Sequence, residues 1–210
     1  MNKSIIKKTI NYYDLCFKKF GNNHKGMNWS SKKSQYLRFE QLIKIKNIEN
    51  KSVHDIGCGN GEFLKFLKKK KIKVSKFLGT DISKNMIHHC NANYAKNKNV
   101  KFINANILDS KKLPNYDFVF ASGIFNIKGL VASKKWEDYV FKMIKRMISI
   151  ANVGLSFNFM TFDVDYKDKN IFYMSIDKLL KRLRKEVSKN IIINHSYPLW
   201  EFTVYIYKNN

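Results

Sequence analysis

The sequence predicts an α/β fold in which helices cover both faces of a doubly wound, mostly parallel sheet. Short apolar runs alternate with segments of helical spacing, and such alternation is typical of parallel βαβ units. A glycine-rich turn follows the first apolar run, where a strand would lead into a helix. No linker rich in Pro, Gly or Ser divides the 210 residues, which contain only two prolines. We therefore expect one globular domain.

The elements can be justified in chain order. Helices are expected in SQYLRFEQLIKIK, EFLKFLKKKK, SKNMIHHCNANYAK, WEDYVFKMIKRMISIA and SIDKLLKRLRKEVS, the last opened by Ser175 as an N-cap. Strands are expected in SVHDIG, KFLGTDIS, VKFINANI, YDFVFASGIF and VGLSFNFMT. The final runs, NIIINHSY and EFTVYIYK, are separated by too few residues for a parallel crossover. They should form an antiparallel hairpin that completes a seven-stranded sheet.

The charge of the chain limits its partners. Its 40 Lys and Arg outnumber 16 Asp and Glu, and the formal net charge of +24 would suit a nucleic acid or an anionic membrane surface. Only four of the 40 are arginine, the residue whose planar fork recognises phosphate and guanine, and the lysines are spread along the whole chain. A solvated lysine surface is therefore favoured over a nucleic-acid interface, which stays open as the alternative.

Cysteine usage and apolar runs bear on location. Cys16, Cys58 and Cys90 are an odd, scattered set that forms neither a metal-ligand pair nor a disulfide framework. No apolar run approaches the roughly 20 residues of a membrane span. We expect a cytoplasmic protein without a bound metal, and the sequence leaves its oligomeric state open.

The glycine-rich turn is the first candidate site. Gly57, Gly59 and Gly61 stand at alternate positions between the first strand and its helix, where glycine allows positive φ and the helix presents free N–H groups to a nucleotide-like ligand. The third glycine of the dinucleotide-binding pattern is missing, because Glu62 holds its place. Asp55 precedes the turn, and a carboxylate there suits a cationic or zwitterionic ligand better than a pyrophosphate.

Four segments in order resemble the motifs of the class I methyltransferases that depend on S-adenosylmethionine (SAM). These segments are VHDIGCGNGEF, FLGTDIS, FINANILD and YDFVFASGIFNI. The resemblance spans about residues 52–161, and the terminal hairpin is similar to the closing strands of that family. It implies a Rossmann-like fold and an enzyme that uses SAM and releases S-adenosylhomocysteine (SAH).

The resemblance also implies roles for individual residues. Gly57, Gly59 and Gly61 would cradle the methionine part and the sulfonium with support from Asp55, and Asp81 would hold the ribose hydroxyls. Further roles are implied at the adenine (Ile82, Asn106 and Ile107), along the methyl path (Ser122 and Gly123) and at the acceptor (Phe125 and Asn126). Asn106 departs from the aspartate of many members, although an amide oxygen can still accept from the adenine amino group.

Simpler roles are open for several of these residues. Asp55 and Asp81 could cap the turn and the helix that come after them, as short acidic residues often do. Phe125 could equally pack in the core. Cys58 is expected to fill space rather than react, because nothing basic is placed to activate it.

Residues 1–50 are predicted to form a helical lid segment ahead of a SAM-binding domain at residues 51–210. The stretch NHKGMNWSSKKSQYLRFEQL combines aromatic, amide and cationic groups, and in similar small-molecule methyltransferases this segment folds over the cofactor. Trp29 would then pack against the methionine chain and Arg38 would pair with its carboxylate. The alternative is a helix anchored by Trp29 with Arg38 exposed.

The acceptor is predicted from the segment after the fourth strand and from the C-terminus. The signatures of base-amine and cytosine methylation are absent and no RNA-binding module is recognised, which favours a small molecule. SGIFNIK and YPLWEFTVYIYK resemble a bacterial subgroup associated with surface polysaccharides, which implies an anionic sugar-linked, nucleotide-linked or phosphate- or phosphoramidate-bearing acceptor of capsule biosynthesis. His195 is the candidate general base, and Tyr197 and Glu201 are candidate acceptor contacts. The alternatives are an RNA or protein methyltransferase and a non-catalytic SAM-binding protein.

Overall fold

A computed structural model describes residues 3–110 and 113–208. The outermost positions of the two predicted segments, residues 1–2 and 209–210, lie outside the described residues, as do residues 111–112. The helices are α1 (Lys3–Phe20), α2 (Lys32–Leu42), α3 (Glu62–Lys69), α4 (Lys84–Tyr94), α5 (Ser133–Ser149) and α6 (Ile176–Glu186), with a 3-10 turn at Ile43–Ile45. The strands are β1 (Ser52–Ile56), β2 (Lys76–Asp81), β3 (Val100–Asn104), β4 (Tyr116–Ala121), β5 (Ala151–Thr161), β6 (Tyr173–Met174), β7 (Ile191–Asn194) and β8 (Glu201–Tyr207).

The strands form a Rossmann-like sheet in the order β3-β2-β1-β4-β5-β8-β7. The pairs from β3 to β5 are parallel, and β8 runs antiparallel to both β5 and β7, so the predicted C-terminal hairpin is confirmed. The predicted seven strands make up this path. β6 adds a short eighth strand that pairs in parallel with the end of β5, and two residues carry no periodicity from which it could have been predicted.

Helices cover both faces of the sheet, as predicted. Side chains alternate between the faces along each strand, so Val119 of β4 packs with α5 and α6 while Phe118 and Phe120 pack with α2, α3 and α4. Phe66 of α3 is fully buried in the core on the side of α2, α3 and α4. Such burial contributes about 1.5–3 kcal/mol per large apolar side chain. The two cores hold the sheet rigid beneath the loops at its edges.

The chain changes direction between β1 and β4. From β1 it proceeds to β2 and β3, then crosses back to place β4 on the other side of β1. In an open α/β sheet the crevice at such a switch point, outside the carboxyl ends of the strands, is where ligands bind. The fold therefore directs attention to the loops after β1, β2 and β4.

Helix α1 is attached to the start of α4 at this edge of the sheet. The Asp14 carboxylate accepts hydrogen bonds from the Ser83 hydroxyl at 2.6 Å and from the Asn85 side-chain amide at 2.9 Å, and the ring of Phe17 meets the edge of His89. These contacts place one face of α1 over the switch point. Across the described part of the chain, no helix combines the length and the apolar character that crossing a membrane requires.

Candidate functional site

A cavity of about 350 Å³ lies at the carboxyl ends of β1, β2 and β4. Its wall is built by the glycine-rich turn, by the loops after β2, β3 and β4, and by the N-terminal residues up to α2. Most of the predicted site residues meet here. They are Trp29, Arg38, Asp55, Gly57, Gly59, Asp81, Ile82, Asn106, Ile107, Ser122, Gly123, Asn126 and Glu201.

The glycines of the glycine-rich turn have different surroundings and different roles. Gly59 has a φ of 51°, and a Cβ added there would lie 2.8 Å from the sulfur of Met27, on the wall of the cavity. Gly61 has a φ of 78° at the N-cap of α3, and its Cβ would instead meet Cys90 and Tyr94 in the interior. The structure thus separates Gly61, which serves packing and the helix start, from the two glycines that line the cavity.

The carboxylate of Asp81 joins the glycine-rich turn to the end of β2. It accepts hydrogen bonds from the backbone N–H of Gly59 at 2.9 Å and from that of Ser83 at 2.8 Å. Burial raises the pKa of Asp81, while these N–H donors oppose the rise. The cap of α4 itself is Ser83, whose hydroxyl accepts from the Met86 N–H. Asp81 therefore lies in the cavity wall with a local turn bond, and it is not the helix cap.

Asp55 is a second buried carboxyl in the same wall, only 4% exposed. Burial, and next the negative charge of Asp81, raise its pKa to about 8. A cationic group in the cavity would favour the ionised form of this carboxyl and would offset the cost of burying it. A positively charged ligand would stabilise this arrangement, and the role of Asp55 toward such a ligand stays a prediction.

The loop after β4 is covered by an aromatic residue of the N-terminal segment. Gly123 has a φ of 72°, and a Cβ there would overlap the indole of Trp29. The guanidinium of Arg38 lies over the indole ring, 4.5 Å from its centroid, a distance at which a cation is attracted to an aromatic face. Trp29 thus lies next to both Arg38 and the backbone of Gly123.

Arg38 is buried and paired with Glu201. Its Nε donates to both carboxylate oxygens, at 2.8 and 3.0 Å, and its Nη2 donates to Oε1 at 2.5 Å. Glu201 also accepts from the side-chain amide of Asn158, whose own Oδ1 accepts from the N–H of Gly123 at 2.8 Å. The alternative interpretation, in which Arg38 is exposed, is therefore wrong. Glu201 reaches the wall, but its carboxylate is occupied by protein donors rather than free for an acceptor.

Two buried polar atoms of the cavity residues remain without partners. Within the described residues, four buried side-chain nitrogen or oxygen atoms lack a hydrogen bond, and Arg38 Nη1 and Ser122 Oγ are two of them. An unsatisfied buried donor costs about 1–3 kcal/mol. Such atoms beside a cavity are consistent with a ligand that supplies acceptors for them.

Besides Gly61, three predicted site residues fall outside the cavity wall: Phe125, His195 and Tyr197. Phe125 is 1% exposed and stacks on Phe159 in the core, with its carbonyl held by the Trp136 indole, so its predicted contact to the acceptor is corrected to a packing role. His195 is exposed in the connection between β7 and β8. Its ring packs against that of Phe202 in β8, and His195 is not among the residues that line the cavity. The fold therefore does not place His195 as a base at the methyl path.

Tyr197 is also displaced from its predicted place. Its hydroxyl is buried and shares a hydrogen bond of 2.9 Å with that of Thr203, away from the cavity wall. Asn106 does line the cavity, but its Oδ1 accepts from the Leu108 N–H at 3.1 Å and its amide donates to Asp109 at 2.7 Å. The side chain of Asn106 thus closes its own turn, and one lone pair of its oxygen is already used.

The cavity contains residues that the sequence reasoning did not single out. Ile6, Thr9, Ile10 and Tyr13 line it from one face of α1, and their spacing of three and four residues is a signal that could have been found. Burial raises the pKa of Tyr13, and the nearby charge of Asp81 contributes. Others come from distant segments and share no local pattern, among them Met27, Trp136, Tyr139, Met160 and Ile171.

Two sequence comparisons bear on this site. Residues 53–148 match the family model described as a methyltransferase domain. A protein of Mycobacterium tuberculosis with the provisional name methyltransferase Rv1506c is 27% identical over 159 residues, which cover 75% of this chain and 93% of that protein. The trans-aconitate 2-methyltransferase of Rhodopseudomonas palustris is 27% identical over 135 residues, covering 60% of this chain and 47% of that enzyme.

Solved structures share the fold. The complex of DhpI with SAH has a TM-score of 0.67 at 15% identity and covers 100% of both chains. A SAM-dependent methyltransferase of Leishmania major has a TM-score of 0.68 at 18% identity, covering 97% of this chain and 82% of that chain. The magnesium protoporphyrin IX methyltransferase of Synechocystis, solved with bound SAM, has a TM-score of 0.56 at 16% identity. The match covers 84% of this chain and 77% of that chain.

Proposed function

We propose that the protein is a class I SAM-dependent methyltransferase that methylates a small, anionic acceptor inside the cavity at the carboxyl edge of the sheet. The observation that carries the proposal is the cover formed by Trp29, which packs close to Gly123 and under the guanidinium of Arg38. A cavity of about 350 Å³ with such a cover has the size of a small-ligand site.

The residues of the cavity fit SAM, the cofactor of this class. Gly59 leaves room where a Cβ would intrude, Asp55 is a buried acid suited to a cationic neighbour, and Asp81 presents a carboxylate at the end of β2. We assign Gly57 and Gly59 to the methionine part and Asp81 to the ribose. Ile82, Asn106 and Ile107 are assigned to the adenine.

The N-terminal segment is proposed as the lid of this site. Arg38 would pair with the methionine carboxylate through Nη1, the guanidinium nitrogen that no described residue satisfies. Trp29 would close the methionine side, and Tyr13 of α1 would cover the nucleoside side near Asp81. Excluding water in this way strengthens the electrostatic contacts within the site.

Methyl transfer needs little beyond positioning. SAM supplies a methyl group on a positively charged sulfur, and transfer requires the acceptor to approach in line with that bond. Ser122 and Asn126 line the path after β4, with Ile127, Met160 and Ile171 as apolar neighbours. The residues of this chain would therefore act by orienting the acceptor and excluding water.

The acceptor is proposed to be anionic because the protein carries a net charge of +24, which raises the local concentration of anions and their rate of encounter. A sugar-linked, nucleotide-linked or phosphate-bearing intermediate of capsule biosynthesis is the finer form of this proposal. That form is supported only by the resemblance of the segments around Gly123 and Pro198 to one bacterial subgroup.

The test is to follow the methyl group. The protein is incubated with SAM labelled in its methyl group and a bacterial extract separated into small molecules, RNA and protein. We expect label in the small-molecule fraction, in a compound that anion-exchange resin retains, and no label with Asp81→Ala. Label in RNA or protein would establish the polymer alternative, and SAM binding without any labelled product would establish the non-catalytic one.

A further inference from the structure

A chain of hydrogen bonds connects the N-terminal segment to the loop after β4. It runs from Arg38 to the Glu201 carboxylate, on to the Asn158 side-chain amide, and ends at the N–H of Gly123. Every side chain in it is at least nine-tenths buried. The two ends of this chain of hydrogen bonds are the Arg38 guanidinium and the turn beside the methyl path. The proposed function requires both groups to be accurately positioned.

The two central members stand on neighbouring strands. Asn158 lies inside β5 and Glu201 is the first residue of β8, with Asn158 opposite Thr203 and Met160 opposite Glu201 in the antiparallel register. Groups mounted on strands are held more accurately than groups on loops. Arg38 and Gly123, by contrast, belong to a helix and a loop that meet the sheet only at its edge.

A buried ion pair is a poor way to gain stability, because removing two charges from water costs about as much as their attraction returns. Glu201 and Asn158 therefore call for another role. Nε and Nη2 of Arg38 are both directed at Glu201, which leaves Nη1 as the guanidinium nitrogen without a partner within the described residues. A carboxylate that binds one side of a guanidinium sets the direction of the other side.

We propose that Glu201 and Asn158 are positioning residues: they orient Arg38 for the carboxylate of the cofactor and fix the backbone of Gly123 at the methyl path. This rests on the proposed function, since it requires the Arg38 site to receive a carboxylate. It differs from the sequence-based expectation, in which Glu201 contacts the acceptor.

The order of donors and acceptors along this chain of hydrogen bonds suggests a variant that disrupts it and a second substitution that restores it. In Glu201→Gln, one side-chain oxygen becomes an NH2 group, which faces the NH2 group of Asn158. Turning the Asn158 amide over only moves the conflict to the N–H of Gly123. Adding Asn158→Asp removes it, because the new carboxylate can accept from both the introduced NH2 group and the N–H of Gly123. The amide oxygen introduced by Glu201→Gln can still accept from Arg38.

The experiment compares two ligands by calorimetry. SAH carries the amino-acid carboxylate, and 5′-methylthioadenosine is the same nucleoside without the amino-acid part. We expect Glu201→Gln to weaken SAH binding about tenfold or more, the effect of losing charge-assisted hydrogen bonds, and to change the binding of 5′-methylthioadenosine less than twofold. The double variant should recover most of the SAH affinity. Glu186→Gln, which loses a surface carboxylate paired with Arg182, is the matched control. It should leave the affinities for SAH and 5′-methylthioadenosine unchanged.

The outcomes separate this inference from the proposed function. Loss of both ligands in Glu201→Gln together with a lowered thermal midpoint, or no recovery in a folded double variant, would show a merely structural role. Equal SAH affinity in all variants would also overturn the inference while leaving SAM binding by the protein intact. Failure of the unaltered protein to bind either ligand would instead refute the proposed function itself.

Discussion

The backbone N–H of Gly59 donates a 2.9 Å hydrogen bond to the carboxylate of Asp81. This bond joins the glycine-rich turn after β1 to the end of β2, and both residues line the same cavity. Asp81 holds a local backbone turn through Ser83 instead of capping the helix, which the sequence left open as its alternative role. We propose that its carboxylate also binds the ribose.

Replacing Asp81 is expected to weaken SAM binding. Asp81→Ala removes a charged acceptor whose hydrogen bonds contribute about 1.5–3 kcal/mol each, so the SAM dissociation constant should rise at least tenfold. Asp81→Asn keeps one acceptor oxygen and should have a smaller effect. Calorimetry measures both, and an unchanged dissociation constant in Asp81→Ala would remove this residue from the site.

Gly59 and Gly61 should respond differently to substitution. In Gly59→Val the side chain would occupy the cavity side of the turn, and a β-branched residue resists the φ of 51°. SAM binding should fail while the protein stays folded. Gly61→Ala is directed at Cys90 and Tyr94 instead, so it should lower the thermal midpoint while the folded fraction binds SAM normally.

A second substitution, at Met27, tests whether Gly59 makes room for the ligand or for this neighbouring side chain. Met27→Ala removes the sulfur that an added Cβ would meet at 2.8 Å. If SAM binding returns when Met27→Ala is added to Gly59→Val, the glycine serves the N-terminal segment rather than the ligand. We expect no return.

The buried Asp55 carboxyl makes stability depend on pH. Its pKa is raised in the folded protein from the ordinary 3.8 to about 8, so the folded state retains a proton that the unfolded state has lost. The stabilising contribution is complete below about pH 4 and is lost as the pH rises to about 8. Asp55→Asn should therefore increase stability relative to the unaltered protein, with a gain that grows from pH 4 to pH 8.

Thermal midpoints of the two proteins at pH 5, 7 and 8.5 check this. The difference should be larger at pH 7 than at pH 5 and largest at pH 8.5. A difference in thermal midpoint that stays constant from pH 5 to pH 8.5 would show that Asp55 does not titrate in this range. SAM should bind Asp55→Asn more weakly, because the acid that suits its positive charge is gone.

Phe125 should matter for stability and not for the ligand. It stacks on Phe159 in the core, and truncation of a buried phenylalanine typically costs about 3–5 kcal/mol. Phe125→Leu, which keeps most of the volume, is the milder comparison. Chemical denaturation measures the loss, and a folded Phe125→Ala that has lost SAM affinity would return this residue to the site.

Closure by the N-terminal segment can be followed by proteolysis. Lys25 is exposed close to Met27 and Trp29, and Lys189 is exposed before β7, far from the cavity. If the segment is a lid, saturating SAM should slow tryptic cleavage after Lys25 several-fold and leave cleavage after Lys189 unchanged. Mass spectrometry of the fragments gives both rates, and equal protection at the two sites would indicate a general stabilisation instead.

Sequence reasoning was most successful where the signal is local. The alternation of strands and helices, the hairpin around Pro198 and the Ser175 cap all depend on residues close in the chain, and each is present in the structure. Asp81 and the cavity-lining glycines obey the same logic, because a loop after a parallel strand has only one edge of the sheet to occupy. Residue type and position within the motif were enough to place them at the cavity.

The remaining features were decided by the tertiary structure. Arg38 and Glu201 are 163 residues apart, and only the antiparallel insertion of β8 beside β5 brings that carboxylate under the N-terminal segment. The same arrangement leaves His195 outside the cavity wall and turns Phe125 into the core. Local periodicity indicates which face of an element is buried, but it does not state which distant side chain completes a hydrogen bond. That choice depends on strand order and register, which the whole sheet sets together.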